Sequence, residues 1–338
     1  MNQFTGLTPA EFKASVLGGY KTGYAQAAAA RASAEPAPLS LHAPVGALPA
    51  SVDWRTKGVV TPVKDQGGCG GCWSFSAAET GESIVAITTG SPVMVFSEQQ
   101  ILSCASNPLQ CGGTGGCSGA TQELAFAYIQ TAGITTEEQW PYTMQSGKCD
   151  WTGKTPVANV TGWAALPFNN YSALMNAVVS IGPIAISAAA EPWQSYDSGV
   201  FSSPCGADVD HAIVLEGYGK DTKSGLDYYL VRNSWSAGWG EQASTTDRTR
   251  PPPATATLSP LQYSGVDRET RAPYSVQGYI RVARYGDTAK GEPCLTDNSP
   301  GDGDGCKGGP SKIQVCGLCG ILSDSSYAIG GHLLANAV

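Results

Sequence analysis

Charge is scarce in this chain. Asp, Glu, Lys and Arg supply 14% of its 338 residues. That is too little for a long helical bundle or coiled coil, in which Ala, Glu, Lys, Leu and Arg make up about half the residues. Positive charge is scarcer still: 20 Lys and Arg stand against 28 Asp and Glu, for a net charge of −8. This argues against a nucleic-acid partner, which needs a basic face. No run of 18 or more apolar residues occurs, so no transmembrane helix is expected. The opening Met1-Asn2-Gln3-Phe4 does not read as a signal peptide. Histidine is rarest of the proton-transfer groups, with three in the chain, and no single one carries weight alone.

Glycine and cysteine are plentiful, at 42 and 11 residues. So much Gly with so little charge suits a loop-rich mixed fold. Eleven Cys in a chain of this size point to an oxidising history, and the odd count leaves one thiol unpaired. Two sequons, Asn159-Val160-Thr161 and Asn170-Tyr171-Ser172, agree with secretion.

One cysteine stands in a chemically pointed context. Cys72 lies in Asp65-Gln66-Gly67-Gly68-Cys69-Gly70-Gly71-Cys72-Trp73-Ser74-Phe75-Ser76. Downstream follow Val209-Asp210-His211-Ala212 and Arg232-Asn233-Ser234-Trp235. A free thiol titrates near pH 8.5, so at neutral pH little of it is thiolate. A helix N-terminus lowers that pKa through its orphan N–H groups. The spacing of Phe75, Ala78, Glu79, Glu82 and Ala86 predicts such a helix over Trp73–Ile87, with a Gly-rich lead-in. Apolar residues on its other faces predict that it is largely buried. An imidazolium within hydrogen-bond reach, here from His211, would lower the pKa further. Asn233 would orient the ring from its other nitrogen, with Trp235 and Trp239 screening that bond from water. The Gln66 amide and the Cys72 backbone N–H would bind a developing oxyanion.

These ordered segments resemble the papain-like cysteine proteases, cathepsin L-like members most closely. In that family His and Asn follow the nucleophile by roughly 130–150 residues; His211 falls inside that range and Asn233 slightly beyond it. The resemblance implies Cys72 as nucleophile, His211 as acid and base, Asn233 as orienter and Gln66 as oxyanion donor in a cysteine endopeptidase. It requires no metal or organic cofactor. Redox or zinc chemistry at Cys69-x-x-Cys72 and Cys316-x-x-Cys319 is the rival. Against it, Trp follows the second Cys, and the family's disulfides employ one Cys of each pair. A non-catalytic protease-like binding protein is the other alternative; such relatives usually lose the Cys or the His, and both are present.

The implied fold class is α+β, a papain-like two-domain fold with the active-site cleft between the domains. Residues 48–155 would form a helical left domain, with a second helix near 119–131. Residues 156–338 would form a right domain built on an antiparallel, barrel-like sheet. Ile184–Ala188, Ala212–Gly217, Tyr228–Arg232 and Gly278–Ala283 read as its strands. Residues 1–47 resemble the end of an inhibitory propeptide, through Asn2-Gln3-Phe4-Thr5-Gly6-Leu7-Thr8 and Glu11-Phe12, followed by a linker. The longer helical part that usually precedes it is absent, so a truncated precursor is expected. Leu48-Pro49-Ala50-Ser51-Val52-Asp53-Trp54-Arg55 resembles a mature N-terminus, with cleavage near Ala47 or Leu48.

Two departures stand out. Residues 242–277 separate Glu241 from Gly278-Tyr279-Ile280-Arg281, which the family joins almost directly. This insert is a surface loop, or an untranslated segment retained in the gene model. Residues 294–312 are a Cys- and Gly-rich extension. Its Asp302-Gly303-Asp304-Gly305 lacks the remaining calcium ligands of an EF-hand, and a disulfide-closed loop is favoured. The resemblance implies the pairs Cys69–Cys117, Cys104–Cys149 and Cys205–Cys319. Cys111, Cys294, Cys306 and Cys316 remain, with Cys294–Cys306 as the most local closure.

The resemblance also places Gly70, Gly71, Trp73, Gly119, Ala120, Asp210 and Trp235 along the substrate. Ala120 stands where the family usually has Gly. The pocket for the second residue before the cut would be lined by Thr121, Gln122, Ala188, Val209 and Ala212, with Asp324 at its floor. An acid there implies acceptance of Arg as well as Leu or Phe; otherwise Asp324 points to solvent. Implied partners are peptide or protein substrates, the chain's own propeptide and cystatin-like inhibitors. A monomer in a lysosome or vacuole, or secreted, is expected.

Overall fold

The computed structural model describes residues 2–17, 48–241, 277–286, 291–298, 306 and 310–335. The expected linker and processing point before residue 48, all but the last residue of the 242–277 insert, and Asp302–Gly305 lie outside the described residues.

The helices are α1 (Pro9–Phe12), α2 (Cys72–Thr89), α3 (Glu98–Cys104), α4 (Gln122–Ala132) and α5 (Tyr171–Ser180). Helix α2 starts directly on Cys72, with Gly71 as its N-cap, and ends at Gly90, whose left-handed φ of 68° stops it. Cys72 through Ala86 are all buried, as the apolar residues around the whole helix require. Helix α4 begins later than expected, because Gly119 has φ 83° and Thr121 is extended.

The strands are β1 (Val52–Asp53), β2 (Ala158–Asn159), β3 (Gly162–Ala165), β4 (Ile184–Ala188), β5 (Val200–Phe201), β6 (His211–Lys220), β7 (Asp227–Arg232), β8 (Tyr279–Ala283), β9 (Cys294–Asp297), β10 (Ile313–Cys316), β11 (Ser325–Ile329) and β12 (His332–Leu333). The main sheet runs β3-β11-β4-β6-β7-β8-β5, with β1 added to β6. Every pairing in it is antiparallel except β5 with β8. This is the expected α+β architecture. Strand β6 bulges between Leu215 and Gly217, next to where β1 pairs with it at Gly217 and Tyr218. A Cβ on Gly217 would sit 2.0 Å from the Val52 carbonyl oxygen, so only Gly allows that approach.

One apolar core lies on the sheet side, around Trp193, Leu215, Tyr229, Val231 and Ile280; a second joins α2 and α4 to the sheet. Helix α2 is tied to β6 by the Ser76 hydroxyl, which donates to the Ile213 carbonyl at 2.7 Å. This contact brings the start of α2 to the start of β6, and so Cys72 toward His211.

Disulfides join Cys69–Cys117, Cys104–Cys149, Cys205–Cys319, Cys111–Cys306 and Cys294–Cys316. The local closure Cys294–Cys306 is therefore wrong. Strands β9 and β10 pair with Cys294 directly opposite Cys316, at a Cα separation of 4.1 Å. Strand register, not loop length, chose the partner. All eleven cysteines are among the described residues, and Cys72 is the one left free.

Several acids are buried between the helices and the sheet. Lys64 pairs with Glu82 at 2.5 Å and with Glu98, and Arg232 with Glu79 at 3.0 Å and Glu216 at 3.6 Å. Burial pushes the carboxyls of Glu79, Glu137 and Asp210 up to about 8. In the unfolded chain such groups titrate near 4. Each then favours the folded state below about pH 4 and loses that contribution as pH rises through about 8. Burial moves His211 the other way, to about 4; its contribution is present above about 6.5 and lost as pH falls through 4. Burial also raises the carboxyls of Glu98, Glu216 and Glu292, so the raised acids outweigh the one lowered imidazole and the Tm should fall by several degrees between pH 5.5 and 8.5. Calorimetry across this range checks the expectation, and a Tm that rises steadily would contradict it.

Candidate active site

Cys72 is fully buried at the first position of α2. Burial pushes its thiol up to about 12, although backbone N–H groups of Ala212 and Trp73 point at the sulfur and oppose the shift. His211 opens β6, paired with Ala188 of β4. Its Nε2 lies 2.8 Å from Asn233 Oδ1. The same oxygen accepts from the Ser234 backbone N–H at 2.8 Å, which fixes it as the acceptor end of the amide. Nε2 must then carry the ring proton, and Nδ1 is left as a base. That Nδ1 is buried without a hydrogen-bond partner. Trp235 stacks on the imidazole at 4.7 Å, and Trp239 meets Trp235 edge-on at 4.9 Å. With the thiol pushed up and the imidazole pushed down, the covered site holds both neutral.

Gln66 is also fully buried. Its Oε1 accepts from the Ser234 hydroxyl at 2.6 Å. That bond turns Nε2 outward, where it donates to the Cys69 carbonyl at 3.0 Å and to the Val16 carbonyl at 2.8 Å. A backbone carbonyl of the N-terminal segment thus sits on the side-chain amide expected to bind an oxyanion. Nothing in the sequence around Ser234 or Val16 signals this, because their partners are remote in the chain.

The segment 2–17 covers the site. A capping box between Thr8 and Glu11 starts α1, and a π-turn over Lys13–Leu17 carries the chain on. Phe4 and Phe12 contact Trp235 edge-on at 5.5 and 5.1 Å. Gln3 donates to the Trp235 carbonyl at 3.0 Å and accepts from the Ser236 hydroxyl at 2.9 Å. Val16 and Leu17 are buried in the sheet-side core.

The residues expected along the substrate lie as follows. Trp73 is fully buried and its indole donates to the Gly116 carbonyl at 3.1 Å, which ties it to the loop before Cys117. Gly70 donates to the Cys117 carbonyl, and Gly71 caps α2. Gly119 and Ala120 lead into Thr121, the N-cap of α4. Asp324 does not point to solvent. It is 2% exposed, and its Oδ2 accepts from Gln122 Nε2 and from the Ser187 hydroxyl, each at 2.8 Å. Ser187 was not expected here; it lies next to Ala188 on β4. Ala188 and Ala212 are fully buried, and Val209 packs against Ile313 and Val315 of β10. Asp210 is buried too, its carboxylate accepting from Ala190 N at 2.7 Å.

Residues 48–246 match the family model described as papain family cysteine protease. The chain belongs to the papain family of cysteine proteases. Oryzain beta chain of Oryza sativa subsp. japonica is 42% identical over 244 residues, covering 71% of this chain and 49% of that protein. The chain thus spans about half the length of the first curated relatives it matches. Among solved structures, a recombinant stem bromelain precursor is similar with a TM-score of 0.67 and 32% identity, over 98% of this chain and 82% of that one. Digestive procathepsin L 3 of Tenebrio molitor larval midgut is similar with a TM-score of 0.65 and 28% identity, over 97% and 81%. The likeness to a precursor and a proform accords with the N-terminal segment over the papain-type cleft.

Proposed function

We propose that this chain is the precursor of a cysteine endopeptidase, held inactive by its own N-terminal segment. The observation that carries this reading is the Val16 carbonyl on the Gln66 amide, beside the only free thiol among the described residues and the His211–Asn233 bond. Once residues 2–17 leave, water returns to the cleft and the burial that keeps Cys72 and His211 neutral is relieved. The proton then passes from Cys72 to His211 Nδ1, and the helix N-terminus favours the thiolate.

The thiolate attacks the scissile carbonyl carbon, and the oxyanion takes hydrogen bonds from Gln66 Nε2 and the Cys72 N–H. Collapse breaks the C–N bond as His211 gives its proton to the leaving amine, forming a thioester. His211 then takes a proton from water, whose oxygen attacks the thioester and releases the new carboxyl end and the thiolate. Asn233 and Trp235 keep the imidazole in one orientation. Residues 48–155 and 156–338 form the two walls of the cleft in this reading. Five disulfides support a vacuolar, lysosomal or secreted setting. Protein substrates, the prosegment and cystatin-like inhibitors are the partners, and the enzyme acts as a monomer.

The pocket for the second residue before the cut takes Leu or Phe, and also Arg. The buried Asp324 carboxylate, held by Gln122 and Ser187, supports this. The test uses paired fluorogenic peptides with Leu or Arg at that position and the processed chain. Thiol-dependent turnover of both is expected, and Asp324→Ala should lower the Arg-to-Leu ratio by about tenfold. Folded, processed protein that cuts neither contradicts the protease reading; an unchanged ratio contradicts the pocket alone.

A further inference from the structure

Lys13 of the covering segment reaches two acids, Asp208 and Glu191, that none of the roles above employs. Its ammonium lies 2.6 Å from Asp208 Oδ2 and 3.6 Å from Glu191 Oε2. Burial works against the charge, yet the carboxylates of Asp208, Asp210 and Glu191 together hold Lys13 above its ordinary pKa. Asp208 stands three residues before His211. Glu191 follows Ala190, whose N–H binds the Asp210 carboxylate at 2.7 Å. The residue before Lys13, Phe12, lies against Trp235, which stacks on His211. The acid pair is therefore on the His211–Trp235 side of the cleft. His211 must protonate the departing amine, so the residues after the scissile bond run along that side.

Two independent facts meet here: a pair of carboxylates on the wall, and a peptide seated in the cleft with a primary ammonium on that pair while its Val16 carbonyl occupies the oxyanion donor. We infer that Asp208 and Glu191 form a specificity subsite for a basic side chain in one of the first two residues after the scissile bond, and that Lys13 occupies it in the precursor. The inference rests on the protease reading and assigns a substrate class to the leaving-group side. Because Lys13 precedes Val16 in the chain yet lies on the leaving-group side, the segment runs through the cleft opposite to a substrate, and only its Lys13 side chain stands in for a substrate Lys or Arg.

The test uses the processed chain and internally quenched peptides of fixed sequence before the cut, carrying Lys, Leu or Glu at each of the first two positions after it. Lys should exceed Leu in kcat/KM by about threefold and Glu by about tenfold at low salt, the scale of half-exposed ion pairs, and the preference should shrink as salt is raised. The double variant Asp208→Asn/Glu191→Gln should bring the Lys-to-Glu ratio close to one, and Glu191→Lys alone should turn it toward Glu. Both residues are partly exposed, and the ratio is read within one protein, so a modest loss of stability does not mimic the result. Turnover with a Lys-to-Glu ratio unmoved by these variants would overturn the inference and leave the protease reading standing. Absence of turnover with every peptide would overturn both.

Discussion

Replacing Cys72 by Ala in the processed chain should lower peptide turnover by at least about 10⁴-fold, the scale seen when a covalent nucleophile is removed, with little change in Tm. Gln66, His211 and Asn233 remain in the variant, but none supplies the electron pair that forms the thioester. The fold should tolerate the change. Cys72 is unpaired, small and buried among α2 residues, and Ala is the best helix former. Ten other cysteines are in disulfides, so no substitute thiol stands ready. Steady-state hydrolysis of a Leu-bearing fluorogenic peptide, with calorimetry of the same samples, checks this. Thiol-dependent turnover persisting in the Cys72→Ala protein would contradict the assignment.

Removing the N-terminal segment should raise turnover by at least about 100-fold over the intact chain, and Phe12→Ala should recover a large part of that gain without processing. Phe12 is fully buried and packs edge-on against both Phe4 and Trp235. Truncating a buried Phe typically costs about 3–5 kcal/mol, which corresponds to a loss of more than about 100-fold in the segment's hold on the cleft. Lys13 adds less, because its ion pairs are partly exposed. The comparison needs three proteins: intact, processed and intact Phe12→Ala. Equal turnover in the intact and processed chains would show that the covering segment does not inhibit.

Much of this molecule is legible in its sequence, for a physical reason. Cys72, His211 and Asn233 each sit in a short local context whose residue types the chemistry requires. The strands Ile184–Ala188 and Asp227–Arg232 declare themselves by branched and aromatic residues. Helix ends were less legible: Gly71 is able to cap α2 at Cys72, and Gly119 in the left-handed region delays α4 to Gln122. Features fixed by tertiary register were not legible at all. Cys316 became the partner of Cys294 because two strands set them opposite each other. Ser234 turns the Gln66 amide from 168 residues away, and Lys13 meets Asp208 across 195. No local pattern encodes such pairs, since only the folded chain brings them together.

The most direct test of the central claim is labelling of the processed chain with a peptidyl epoxide, followed by peptide mapping and residual-activity assay. One label per chain on Cys72, with turnover lost in proportion to labelling, is the predicted result. Folded protein that still cleaves peptide with Cys72 fully labelled, or that neither cleaves peptide nor takes up the label at Cys72, would contradict it.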